Sequence, residues 1–319
     1  MGGAIDVALR VAPLRSGLPF GAIVSGLRRE QLGDPGLRRR LLDLWIEAGV
    51  ILFRDGDSSD EMQIELSQCF GPLERSPFKE TWHGSNPDLV HLSYTAENGT
   101  CYEVKGEQLG NYIYWHKDRI YTDKLNRGGI LKAVQLSQAG GQTGFIDLID
   151  AYARLSPALK ERIAGRRVVY STDLNLANSK FLKSEQIRLI RATRSLEAVC
   201  GRLYQYPLFA HPLVFTQVET GRNVLNISPS FALGFYEDGG PAGDALLQEV
   251  IDSCTSGPAY FHEWRPDDML LWDNWRMIHC VTGIPPEQTR TMKRTSIFGD
   301  YGLGRALTDG FLGFGGVDV

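Results

Sequence analysis

The sequence has no surplus of basic residues: 34 Lys and Arg against 38 Asp and Glu leave a net charge of −4, with no basic block or stripe. A nucleic-acid surface or an anionic membrane face is therefore not expected. No apolar run reaches transmembrane length, and Met1-Gly2-Gly3-Ala4-Ile5-Asp6-Val7 lacks the charged-then-apolar order of a secretory leader. Gly2 stands where a myristoyl group would attach, but Val7 occupies the position that needs Ser or Thr. Cysteine is scarce. Cys69, Cys101, Cys200, Cys254 and Cys280 are odd in number, scattered, and contain no C-x-x-C pair. That argues against a disulfide framework or a zinc ribbon and fits a reducing compartment, so the cytoplasm is the expected location. There is also no internal repeat, low-complexity tract or dividing linker. A single domain over residues 1–319 is expected, and 43% hydrophobic residues suffice for a sizeable core.

What is present is a succession of short strands with helices gathered near the N-terminus and in insertions. Asp6 to Pro13 alternates as a first strand. Leu37, Leu41, Leu44, Trp45 and Ala48 recur at helical spacing, Gly49 ends that helix, and Val50 to Phe53 is a short apolar strand. Ser58 followed by Glu61 predicts a capping box for a second helix that closes at Gly71-Pro72. These helices are expected to pack outside a sheet.

Residues 76–110 read as a polar loop, broken by a strand at Leu89 to Ser93 and placed as a substrate cover. Strands follow at Gly128 to Leu136 and Thr143 to Leu148, with helices from Asp150 to Leu155 and from the Ser156-Pro157 start to Gly165. Residues 171–206 are polar and moderately basic, and they read as a lid or insertion. Further strands are expected at Leu213 to Gln217, Asn223 to Ile227, Ala259 to Trp264, Met269 to Trp272 and Thr295 to Phe298, and a helix at Ala242 to Ser253. The pattern favours a mainly β fold with added helices, a double-sheet jelly roll.

The stretch with chemistry in it is Tyr112-Ile113-Tyr114-Trp115-His116-Lys117-Asp118. Its aromatic and β-branched residues predict a strand, on which His116 and Asp118 share one face and Lys117 takes the other. An imidazole and a carboxylate side by side are two parts of a facial metal triad, and His279 is the candidate for the third. His83, His91, His211 and His262 have no partner at such spacing and read as structural. Asp273 and Asn274 read as turn-formers, and Trp115, Trp272 and Trp275 as core.

Three groups of residues stand at fixed distances around this stretch: Trp115-His116-Lys117-Asp118; Gly140-Gly141-Gln142-Thr143; and Trp272-Asp273-Asn274 with His279, Arg290-Thr291-Met292-Lys293-Arg294 and Gly299-Asp300. The whole resembles the taurine and 2,4-dichlorophenoxyacetate dioxygenase (TauD/TfdA) family of iron(II)/2-oxoglutarate enzymes, over nearly the full chain. The resemblance implies a cupin-like double-stranded β-helix core and an oxidoreductase that uses Fe(II), 2-oxoglutarate and O2. His116, Asp118 and His279 would be both the metal ligands and the catalytic centre. Thr143 and Arg290 would bind the far carboxylate of 2-oxoglutarate, where a planar guanidinium can pair in bidentate fashion. Arg294 would sit beside the metal-bound carboxylate or an anionic group of a small-molecule substrate.

Hydroxylation of an unactivated C–H, with release of succinate and CO2, is the implied reaction. Lys117 departs from the family pattern; it reads as a solvated strand residue or the partner of an acid outside the barrel. Tyr112, Tyr114 and Tyr121 suggest an aromatic rim. The competing reading is a cupin-like hydrolase or isomerase using zinc or manganese without a cosubstrate, against which Arg290 and Thr143 discriminate. The substrate and any homo-oligomeric state are left open.

Overall fold

The computed structural model describes residues 9–75, 82–84 and 86–307. The expected first strand is present as Arg10–Pro13, and its earlier part, 6–8, lies outside the described residues.

Two sheets carry the fold. The larger runs, in spatial order, Arg10–Pro13, Ala22–Ser25, Val50–Arg54, Met269–Asp273, Gly128–Gln135, Arg290–Ile297, Asn86–Tyr94 and Trp82–His83. All its pairings are antiparallel except that of Ala22–Ser25 with Val50–Arg54. The smaller runs Ile187–Arg191, Cys101–Val104, Glu107–His116, Met277–Ile284, Thr143–Asp147 and Tyr260–His262, antiparallel throughout.

Side-chain alternation sorts each central strand between two cores. Leu270 and Trp272 point between the sheets, where they meet Phe145 and Met277 from the smaller sheet. Met269 and Leu271 point outward and pack with Trp45 of helix Pro35–Ala48 and with Met62 and Leu66 of helix Asp60–Gln68. In the smaller sheet, Ile146, Ile278 and Cys280 point outward into a third core, which they share with Leu247, Val250 and Ile251 of helix Pro241–Thr255. A strand buried on both faces reads as a continuous apolar run, which is why Met269 to Trp272 shows no polar alternation. This is the jelly-roll arrangement, mainly β with helices added on the outside. Among the described residues no helix is long and apolar enough to cross a membrane.

Several expectations change. The second helix is capped by Ser59, whose Oγ accepts the Met62 N–H at 3.1 Å, and not by Ser58. Residues 76–110 are not one polar loop: apart from 76–81 and 85, which lie outside the described residues, they contain strand Asn86–Tyr94 and a hairpin of Cys101–Val104 with Glu107–His116. Residues 171–206 are built into the fold, since Ile187–Arg191 pairs with Cys101–Val104 and Arg194–Cys200 is a helix capped by Thr193. Their order comes from pairing across the chain, which local periodicity does not reveal.

Candidate active site

Strand Glu107–His116 ends at His116, and Asp118 lies in the turn just beyond it, where a strand had been expected to continue. The two side chains nevertheless converge. His279 sits opposite His116 in the neighbouring strand, and the two rings are 4.1 Å apart at their centroids. Asp118 Oδ1 stands 3.7 Å from His116 Nε2 and 3.8 Å from His279 Nε2. One donor atom from each residue falls within 4.8 Å of the others, a span that one ion can bridge.

The donors are also in the right electronic state. His116 Nδ1 lies 2.8 Å from the Tyr114 carbonyl. A carbonyl can only accept, so Nδ1 carries the proton and the Nε2 lone pair faces Asp118. Burial, helped by neighbouring His116, drives the His279 pKa down to about 3, which leaves a neutral imidazole. Burial alone would raise the Asp118 pKa, but the Arg294 guanidinium outweighs it and holds the carboxyl far below its usual range. Arg294 Nη1 donates to Asp118 Oδ2 at 3.1 Å. Of the two places the family pattern allows for Arg294, the structure shows the one beside the carboxylate.

A second cluster forms around Arg290, which is 4% exposed. Among the described residues no carboxylate pairs with it, and its Nε has no hydrogen-bond partner. Burial lowers its pKa to about 10, so it stays charged at neutral pH. Thr143 Oγ1 accepts from Trp264 Nε1 at 3.0 Å and from Arg290 Nη2 at 3.5 Å. With both acceptor positions used, the Thr143 hydroxyl proton is free to be donated. Arg290 and Trp264 line a cavity of about 340 Å³ together with the Gly140-Gly141 turn. Gly141 has φ +71°, and a Cβ there would lie 2.9 Å from Ser137 Oγ and 3.2 Å from Arg290 Cδ. The double glycine thus leaves the arginine its place.

A larger cavity of about 820 Å³ opens over His116 and Asp118. Phe231, Tyr112, Tyr121 and Ile113 form part of its wall, and Leu176, Leu196 and Val199 from the 171–206 segment form another. Tyr114 does not take part in the expected rim. A bulge in the pairing of His116 and Ile113 with His279 and Val281 breaks the alternation, and Tyr114 packs against the clusters around Ile278 and Leu182 and not in the cavity wall.

Sequence reasoning missed three residues here. Asn274, read as a turn-former, clamps Asp118: its Oδ1 accepts the Asp118 N–H and its Nδ2 donates to the Asp118 carbonyl. Trp264 supplies the hydrogen bond to Thr143. Lys117 is not solvated, and among the described residues no acid pairs with it. It is fully buried, and its Nζ donates to Asn226 Oδ1 at 2.9 Å and the Trp275 carbonyl at 2.5 Å. Position within the Trp272-Asp273-Asn274 motif was the available signal for Asn274, and departure from the family pattern was the signal for Lys117; nothing in the sequence marked Trp264.

A buried guanidinium with no carboxylate partner among the described residues, on the same jelly roll as a two-histidine, one-carboxylate cluster, fits one class: a 2-oxoglutarate-dependent dioxygenase. Comparison with known proteins agrees. The family described as taurine catabolism dioxygenase TauD, TfdA matches residues 10–296, and the chain belongs to that family. It is 31% identical, over 94% of its own length and 98% of the relative's, to an (S)-phenoxypropionate/alpha-ketoglutarate-dioxygenase of Sphingobium herbicidovorans. It is 29% identical to an alpha-ketoglutarate-dependent 2,4-dichlorophenoxyacetate dioxygenase of Cupriavidus pinatubonensis, over 85% of this chain and 92% of that one. The crystal structure of AAD-2 in complex with Mn(II) and N-oxalylglycine has the same fold, with TM-score 0.68 and 23% identity over 92% of this chain and 98% of that chain.

Proposed function

We propose that residues 1–319 form one catalytic domain in which His116, Asp118 and His279 bind Fe(II), while Arg290 and Thr143 hold the far carboxylate of 2-oxoglutarate. The observation that carries this is Arg290, a buried cation with no carboxylate among the described residues to neutralise it. Leaving such a charge unpaired is costly, and a dicarboxylate supplies the missing partner. A metal hydrolase or isomerase would have no use for that clamp. The donor set, two neutral imidazoles and one carboxylate with an open side, suits Fe(II).

With metal and cosubstrate bound, O2 and 2-oxoglutarate yield succinate and CO2, and one oxygen atom enters a substrate C–H to give the alcohol. The protein's own residues do the positioning. Arg294 keeps Asp118 ionised and turns its second oxygen away from the histidines. The aromatic and aliphatic walls of the larger cavity exclude water and take an apolar substrate body, with the 171–206 segment as the cover. An anionic substrate fits the relatives named for phenoxypropionate and 2,4-dichlorophenoxyacetate.

Anaerobic titration of the protein with Fe(II) and then 2-oxoglutarate, followed by ultraviolet-visible absorption, tests the assignment. A charge-transfer band that depends on both, and that disappears in His116→Ala and His279→Ala, is expected. A screen of aryloxy and alkyl acids scored by succinate release then finds the substrate. Binding of 2-oxoglutarate that is the same in Arg290→Ala as in the unaltered protein would overturn the clamp.

A further inference from the structure

Lys117 stands between two of the three metal-facing residues, and its side chain runs the opposite way, into the protein. Besides the Asn226 and Trp275 contacts, its Nζ lies 5.7 Å from the centroid of the Phe215 ring. Among the described residues it has no ion pair. Enclosing an amine this way costs free energy that a methionine of similar length would not. The arrangement therefore calls for a reason beyond filling space.

The contacts supply one. The backbone of this segment is already pinned from several sides: Ser230 Oγ donates to the Trp115 carbonyl at 3.0 Å, Ser228 Oγ accepts the Lys117 N–H at 3.0 Å, and Asn274 brackets Asp118. Those bonds act close to the chain axis and oppose translation. They offer little leverage against rotation of the segment about its own axis, which would swing His116 and Asp118 together away from His279. A long side chain anchored on the opposite side does resist it, and the Asn226 and Trp275 contacts anchor one there. Lys117 is that side chain. One of its anchors, the Trp275 carbonyl, belongs to the turn between Met269–Asp273 and Met277–Ile284, the strand that carries His279.

We propose that Lys117 is a positioning residue for the metal site: its amine ties the His116–Asp118 segment to the turn preceding the His279 strand, so that the three ligands are set as one unit before an ion binds. This rests on the reading of His116, Asp118 and His279 as metal ligands.

The test is anaerobic titration of the metal-free full-length protein with Co(II), reading affinity and the visible ligand-field bands, beside the melting temperature of the metal-free form. Lys117→Met should melt within a few degrees of the unaltered protein yet bind Co(II) at least tenfold more weakly, with shifted bands. Lys117→Gln keeps a donor on a shorter arm and should show a smaller loss; it also provides the measurement if Lys117→Met does not fold. Wild-type affinity and bands in either folded variant, whatever its melting temperature, would overturn the proposal. A His116→Ala arm separates the two levels: if it too binds Co(II) like the unaltered protein, the metal reading itself fails, and this inference with it.

Discussion

Asn274 holds Asp118 by both ends of its backbone: the Asp118 N–H reaches Asn274 Oδ1 at 2.9 Å, and Asn274 Nδ2 reaches the Asp118 carbonyl at 2.9 Å. The same Nδ2 lies 3.2 Å from the carbonyl and Oδ1 of Asn126. Only a side-chain amide offers a donor and an acceptor in that arrangement. Asn274→Asp keeps the acceptor and loses the donor, so Asp118 should lose its fixed place. Residues that orient metal ligands typically cost about 10–100-fold in metal affinity when changed. Isothermal titration with Mn(II) should show a loss in that range, and an unchanged affinity would limit Asn274 to a role in folding.

Arg290→Ala removes the cation proposed to face the far carboxylate of 2-oxoglutarate. Truncating one partner of a buried charged pair costs about 2–5 kcal/mol. The 2-oxoglutarate requirement should rise at least tenfold while metal affinity stays near its starting value. Arg294→Ala should do the reverse, because Arg294 contacts Asp118 and not Thr143. Separate titrations of metal and cosubstrate on the two variants check this, and matching losses in both would contradict the division of labour.

Trp264→Phe leaves the cavity wall aromatic but removes the N–H that engages Thr143. Thr143 would then be free to turn its hydroxyl towards other acceptors, at a net cost of about 1 kcal/mol for one hydrogen bond. About a fivefold rise in KM for 2-oxoglutarate is expected, with KM for the primary substrate unmoved. Steady-state kinetics with each varied in turn would show it.

That His116 and Asp118 would meet His279, and Arg290 would meet Thr143, was legible in the sequence because strand geometry turns spacing into position. His279 in one strand and His116 in its neighbour meet by register. Arg290 and Arg294, four residues apart on Arg290–Ile297, come near Thr143 and Asp118 respectively. What stayed hidden has physical causes. An Asn after an Asp is an ordinary turn signal, and only the path of a distant strand converts Asn274 into a clamp. Lys117 was misread because polarity was taken to mean solvent, whereas an amine can be buried where a carbonyl and an amide oxygen receive it. The 171–206 segment has short elements held by pairing with residues about 85 positions earlier, such as Arg188 with Glu103.

The last prediction concerns stability. Asp268 is 1% exposed and accepts from Arg54 Nε and Nη2, each at 2.7 Å, and from the Arg265 N–H at 3.1 Å. His262 Nε2 stands 3.2 Å from it. Burial would raise the Asp268 pKa, but Arg54, His262 and the Arg265 amide together bring it down to about 2 from an ordinary 3.8. A carboxyl whose pKa is lower folded than unfolded stabilises the fold above the unfolded value and loses that contribution as pH falls through the folded one. The contribution is thus complete above about pH 4 and disappears around pH 2, with a size of about 2 kcal/mol at ~1.4 kcal/mol per pH unit. Asp268→Asn cannot titrate there. Urea unfolding of the two proteins at a series of pH values should show their stability difference shrinking by that amount between about pH 4 and pH 2, since other carboxylates act on both alike. A difference that stays constant across the window would mean that the Arg54 pair gives Asp268 no net lowering of its pKa.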